Sequence, residues 1–166
     1  MPAAIIEVKL EVKGDEELAK AFELMRSRVN DWRPFWPDIA AVFYIGEKAL
    51  LDSQGYGKWE PLSDGYKAWK TKHYPGENMM QLTGDLYRSL TTKWNPHAVY
   101  ELEAQSMTLG TTVPYAAAHQ YGYKPRNLPA RVIMDVTETD INIMARVALE
   151  SFNRYAQNLG FETKKD

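Results

Sequence analysis

An α+β fold is expected of this chain: a single domain in which a small antiparallel sheet is packed by several helices, including a long N-terminal helical region and a C-terminal helix. Apolar residues recur at three-to-four-residue spacing over 15–30, 38–53 and 137–160, the period of a helix with one buried face. They alternate at period two over 6–12, and two further β-prone runs flank a short polar break near 105. The chain has 166 residues, no cysteine and no linker-like stretch, so one core held by packing is the economical arrangement. Its bounds are expected at 1–160, with residues 161–166 a frayed tail.

The first element is a strand, because Ile6, Val8, Leu10 and Val12 alternate with Glu7, Lys9, Glu11 and Lys13. Gly14 breaks it and Asp15 can cap a helix over 15–30, whose Leu18, Phe22, Met25 and Val29 share a face. Trp32-Arg33-Pro34-Phe35-Trp36-Pro37 cannot extend that helix, since two prolines remove donors and restrain the residues before them. A rigid aromatic corner is expected there. The next helix, 38–53, carries Ile39, Val42, Phe43, Gly46, Ala49 and Leu50 on one face. Ala41, Tyr44, Ile45 and Leu51 make its remainder apolar too, so burial on two sides is expected, one of them possible against another subunit.

Gln54-Gly55-Tyr56-Gly57 links this helix to Trp59 and to a short helix over 63–73, and Tyr74-Pro75-Gly76-Glu77-Asn78 reads as an irregular loop. Thr83 is placed to cap a helix containing Leu86 and Leu90, with Leu82 and Tyr87 as a hydrophobic staple. Residues 99–104 and 107–112 should pair as a hairpin turning near Gln105 and Ser106. Pro114 suits the start of a helix over 115–121, Gly122 its left-handed exit, and the three alanines between permit tight docking. After the basic loop 123–127, residues 131–136 suit a last strand. Thr137 with Asp140 resembles a capping box for the final helix, lined by Ile141, Met144, Ala145, Ala148, Phe152, Tyr155, Ala156 and Leu159.

Composition narrows the function. Twenty Lys and Arg against 22 Asp and Glu leave a net charge of -2, which argues against specific nucleic-acid binding through phosphate neutralisation. No apolar stretch approaches the twenty or so residues of a membrane span, and the N-terminus lacks the pattern of a signal peptide, so neither secretion nor membrane insertion is expected. Five Trp, ten Tyr and seven Met favour protein interfaces or sugar platforms.

No constellation of catalytic residues stands out. His73, His97 and His119 lack metal-ligand spacing, and His119 is expected to tie its helix to nearby backbone. Ser63, Ser89 and Ser106 sit in no nucleophile elbow, and no phosphate-binding fingerprint occurs, so no cofactor is expected. Glu60, Asp64 and Asp85 are the carboxylates a cell-wall glycoside hydrolase would draw on, and Trp59 the ring a carbohydrate-binding module would use. Pro61 and Leu62 beside Trp59 favour a packed corner instead, and Arg131 suits an ion pair or backbone carbonyls better than DNA.

Four short words, in order, carry the strongest signal: Trp59-Glu60-Pro61-Leu62, Leu82-Thr83-Gly84-Asp85-Leu86, Tyr115-Ala116-Ala117-Ala118-His119-Gln120-Tyr121-Gly122 and Pro129-Ala130-Arg131. In wording and order they resemble the phage virion morphogenesis family, the tail-completion and head-to-tail joining proteins of contractile-tailed phages such as P2 and Mu. Val132 stands where that family commonly has a second proline, and 53–57 replaces its usual basic-aromatic approach to the Trp.

The resemblance implies a structural, non-enzymatic part of the virion. It would be assembled in the host cytoplasm and located at the head-tail junction or tail end. The implied partners are further copies in a ring, by analogy with tail tubes a hexamer, together with tail-tube or head-neck proteins. DNA would pass through without specific contact. The motif residues would then serve assembly. Met79 and Met80, beside a loop within 71–81, are the candidate contact residues.

Overall fold

The structure, a computed structural model, describes residues 15–161, so the strand expected at 6–12 and the residues 162–166 lie outside them. The described elements are α1 (Asp15–Asn30), α2 (Trp36–Asp52), α3 (Asp64–His73), α4 (Asp85–Thr91), β1 (Ala98–Leu102), β2 (Met107–Thr111), α5 (Ala116–Tyr121), a 3-10 turn (Lys124–Arg126) and α6 (Glu138–Asn158). The fold is α+β, with six α-helices and one two-stranded antiparallel sheet among the described residues.

α1 has the expected bounds, but Leu18, Phe22 and Val29 remain exposed, so its apolar stripe is not covered by the rest of the described chain. It is fastened to the end of α6. The Tyr155 hydroxyl donates to Leu24 O at 3.4 Å, and the Phe22 and Phe161 rings lie 5.6 Å apart. Phe161, expected to begin a frayed tail, also donates its N–H to Ala156 O at 3.1 Å.

The aromatic corner is shorter than expected because α2 already starts at Trp36 with Pro37 in its first turn, where a missing N–H leaves no intrahelical bond unmade. Trp32 stacks on Phe152 and Phe35 meets Phe152 and Tyr155 edge-on, which docks the corner on α6. The same corner grips the hairpin turn: Trp36 Nε1 donates to Glu103 O at 2.7 Å and Trp32 N to Ala104 O at 2.7 Å. α2 packs against both α6 and α4. Ile45, on the remaining side, is 70% exposed in the single chain.

β1 and β2 pair from Ala98↔Thr111 to Leu102↔Met107, with α4 against them. The helix α4 is entered differently from expectation. Gly84, at φ +80°, occupies the cap position, and the Thr83 hydroxyl donates to Asp85 Oδ2 at 2.8 Å. Tyr87 packs on the core and donates its hydroxyl to Asp52 Oδ1. Leu51, Trp59, Leu86, Leu90, Val113, Ala116 and Ile133 form the central core.

The largest correction concerns residues 131–136, which are not a strand. Buried peptide groups must still be paired, and here side chains stand in for a neighbouring strand. Gln120 Oε1 accepts from Ile133 N at 2.8 Å and Met134 N at 3.0 Å, while its Nε2 donates to Met134 O at 3.0 Å. Trp59 Nε1 donates to Val132 O at 2.9 Å, and Glu47 Oε1 accepts from Asp135 N at 3.1 Å. The segment then enters α6 through the expected capping box: Thr137 Oγ1 accepts from Asp140 N, and Asp140 Oδ2 accepts from Thr137 N. Ile141 and Ala145, expected on the buried face of α6, are exposed; Ser151 is buried in their place and donates to Asp38 on α2.

Glu47 lies within the apolar face of α2, 1% exposed, and its Oε2 has no partner. Burial, reinforced by the neighbouring Asp135 and Asp140 carboxylates, pushes its carboxyl up from 4.5 to about 8. Between these values the folded chain keeps a proton that the unfolded chain has released. Stability from this group is therefore complete below about pH 4.5 and falls by about 1.4 kcal/mol per pH unit until it is lost above about pH 8. Glu47→Gln is expected to flatten the pH dependence of Tm across this window, with the variant matching the parent near pH 4 and exceeding it near pH 8. Thermal melts followed by circular dichroism check this; parallel curves for the two proteins would contradict it.

Candidate interface cleft

Three of the four sequence words interlock at one corner. Arg131 is 4% exposed and spends its guanidinium on backbone, with Nε donating to Glu60 O at 2.8 Å and Nη2 to Pro61 O at 3.1 Å. Its own N–H donates to His119 O at 2.7 Å. Of the two roles expected for Arg131, carbonyl partner is the one observed. Gly122 turns the chain at φ +78°, though with extended ψ and not as a left-handed helical residue. A Cβ there would meet Ala130 N at 3.0 Å and Leu128 O at 3.1 Å, so the Pro129-Ala130-Arg131 strap passes as closely as it does because residue 122 has no side chain. Of the three alanines before it, Ala116 alone is buried, so α5 docks by one edge.

Trp59 is held against the link that precedes it. Gln54, Gly55, Tyr56 and Gly57 all have positive φ, between +53° and +73°, and together make a left-handed turn. A Cβ on Gly55 would stand 2.3 Å from the indole. The ring is thus enclosed, with its N–H committed to Val132 O, and is not presented as a sugar platform.

Around this corner opens a cleft of about 610 Å³. The corner itself (Glu60, Pro61, Leu62, Ser63), α3 (Tyr66, Lys70), residues 79–82, Tyr115 and His119, and residues 126–129 with Arg131 form its walls. The sequence words therefore meet here: Pro61, Leu62, Leu82, Tyr115, His119, Pro129 and Arg131 line the cleft, whereas Leu86 lies in the core beneath. Met79 and Met80 also line it while packing against the core, and Met80 adopts φ +63°.

Lys70 went unnoticed in the sequence, where one lysine in a polar helix carries no signal. It is 5% exposed, with Nζ donating to Asn78 O at 2.7 Å and to Gln81 O, which ties α3 to the following loop. Burial lowers the affinity of both Lys70 and Arg131 for their protons. Glu47, also missed, did leave a trace: an acid between Phe43 and Leu50 at helical spacing on an apolar face. The outward side of α3 shows a run of stacked rings, with Tyr66 5.5 Å from Trp69 and Trp69 5.0 Å from His73.

His119 departs from expectation. Its Nδ1 is buried without a hydrogen-bond partner, and the ring meets Tyr115 edge-on at 5.9 Å. Burial, with the adjacent Arg131 charge, lowers its pKa below the usual histidine value, so the ring is neutral at neutral pH. Two carbonyls of the corner are taken by Arg131, which leaves His119 a packing role beside that cation. The carboxylates weighed for hydrolysis are not gathered: Glu60 lines the cleft, Asp64 does not, and Asp85 is engaged by Thr83 and Arg88, which hold it below its ordinary pKa. Among the described residues no three His, Asp or Glu side chains group as a metal site, and no helix is long and apolar enough to cross a membrane.

An interlocked corner made from short words in a set order is a family hallmark, and the model of the phage virion morphogenesis family matches residues 15–153. The chain belongs to that family, whose members build virions. No curated protein and no solved structure matches it.

Gly55→Ala is expected to destabilise by about 2–5 kcal/mol, combining left-handed strain with displacement of the indole. Gly57→Ala, at a similar φ but with nothing within 4 Å of the added Cβ, should lose only about 1 kcal/mol. Urea titrations read by tryptophan fluorescence separate the two; equal losses would mean that Trp59 does not need the Gly55 approach.

Proposed function

We propose that this protein completes the phage tail or joins it to the head, as a structural subunit that assembles into a ring through protein-protein contacts. The observation that carries the reading is the convergence of the family's words on one cleft whose walls are braced by backbone hydrogen bonds, in a chain belonging to a virion morphogenesis family. Such a surface suits recognition of shape, because its side chains are committed to holding the corner. Uncovered apolar surface supports self-association: Leu18, Phe22 and Val29 on α1, Ile45 on α2, and Trp94 at 82% exposure. A closed ring of identical subunits, a hexamer by analogy with tail tubes, offers the geometry that a tubular tail and a DNA passage require.

Its partners are further copies and tail-tube or head-neck proteins, and its place is the head-tail junction or tail end. Met79 and Met80 belong to this surface as its floor. Substituting either tests stability before it tests contact, since both also pack on the core. The hydrolase alternative finds less support, for a retaining or inverting mechanism needs two facing carboxylates and the cleft offers Glu60 alone.

Phage particles made without this chain are expected to show heads without tails beside overlong or unfinished tails in negative-stain electron microscopy. Complete, infectious particles of normal tail length would overturn the reading.

A further inference from the structure

The cleft is electrostatically lopsided. Lys70, Arg126 and Arg131 line it against one carboxylate, Glu60, in a chain whose net charge is negative. Among the described residues none of these three cations is ion-paired: Lys70 and Arg131 give their hydrogens to carbonyls, and Arg126 stands exposed at the rim. Glu60 acts on Arg131 and Glu77 on Lys70 only at longer range, without an ion pair among the described residues, so an excess of positive charge is left that suits an incoming carboxylate.

The opposite imbalance occurs elsewhere on the same chain. Where residues 131–136 enter α6, Asp135 and Glu138 are exposed, with no ion pair to their carboxylates among the described residues, close to the capping Asp140 and the buried Glu47. Val136 and Ile141 beside them are exposed, although Ile141 belongs to the register of the apolar face. This corner therefore presents carboxylates flanked by aliphatic side chains. The cleft presents cations flanked by Pro61, Leu62 and Leu82.

We propose that the cleft of one copy receives the acidic start of α6 from the next copy, with Glu138 and Asp135 facing Arg126 and the buried cations, and Ile141 against the apolar wall. The contact is heterologous: different patches of each subunit meet, so it repeats from copy to copy and closes as a ring when the rotation allows. This assignment rests on the ring reading above and names its contact chemistry. DNA is the less suitable occupant. The three cations are set among apolar and uncharged residues of the cleft wall and do not form a continuous basic track along a surface.

A charge swap tests it, with self-association measured by sedimentation velocity over a concentration series at low and high salt. Arg126→Glu and Glu138→Arg are both exposed positions, and helix content by circular dichroism verifies folding; Asp135→Lys serves as a second acidic-side variant. Each single reversal is expected to weaken association about fivefold or more, high salt to weaken the parent, and Arg126→Glu with Glu138→Arg together to recover most of the loss. If the parent associates and neither reversal matters, or the pair fails to rescue, this contact is wrong while the ring reading stands. A parent monomeric at every concentration, or a short DNA duplex that binds and is lost with Arg126→Glu, also overturns it. The tail-completion reading is decided separately by particle morphology.

Discussion

The backbone of residues 131–136, anchored by the buried Arg131 and Ile133, must be hydrogen-bonded without a strand beside it, and the rest of the architecture answers to that demand. Trp59 from the corner, Gln120 from α5 and Glu47 from α2 each supply a side-chain partner to it. Each is distant from the segment in sequence, so the segment acts as the line along which α2, the corner and α5 are brought into register. Leaving one such buried group unpaired costs about 1–3 kcal/mol, comparable with deleting a modest core side chain. Specificity follows as well: an amide such as Gln120, which accepts from two N–H groups and donates to one carbonyl, fits a single backbone register.

The same demand explains the cleft. Holding the strap through Arg131 places a guanidinium at the corner with its hydrogens directed to carbonyls, and tying α3 to its loop through Lys70 places an ammonium nearby in the same way. Structural bonding thereby leaves positive charge without a carboxylate in a protein that is negative overall. The acidic entry to α6 arises likewise from local needs, since a helix N-terminus favours carboxylates for its unbonded N–H groups. Two unbalanced regions of opposite sign are what a subunit needs if its neighbour is another copy of itself.

Legibility in the sequence followed the range of the interaction. The Thr137-Asp140 capping box, the hairpin and the bounds of α1 and α3 depend on neighbours a few residues away, and all were readable. The four words were readable because corners that need a glycine without a Cβ or an arginine reaching carbonyls tolerate few substitutes. Thr83 and Gly84 show how closely competing local choices lie: a good capping residue lost its place to a glycine in a left-handed turn. Residues 131–136 suited a strand by residue type, but residue type is silent on whether the backbone's partners are a strand or a set of side chains.

The helices and the hairpin, their order and family membership were therefore set by local chemistry, since period, caps and turn residues act through bonds within a few positions. Packing in three dimensions settled the rest. It determined that Lys70 and Glu47 are buried, that His119 lacks its expected partner, that the α1 stripe is left uncovered by the described residues, and that cations and carboxylates gather on different parts of the surface. Burial and counter-charge are properties of what surrounds a residue in space, and for this chain those surroundings come from residues far off in sequence: Asp135 is 88 positions from Glu47, and Ser151 is 113 from Asp38.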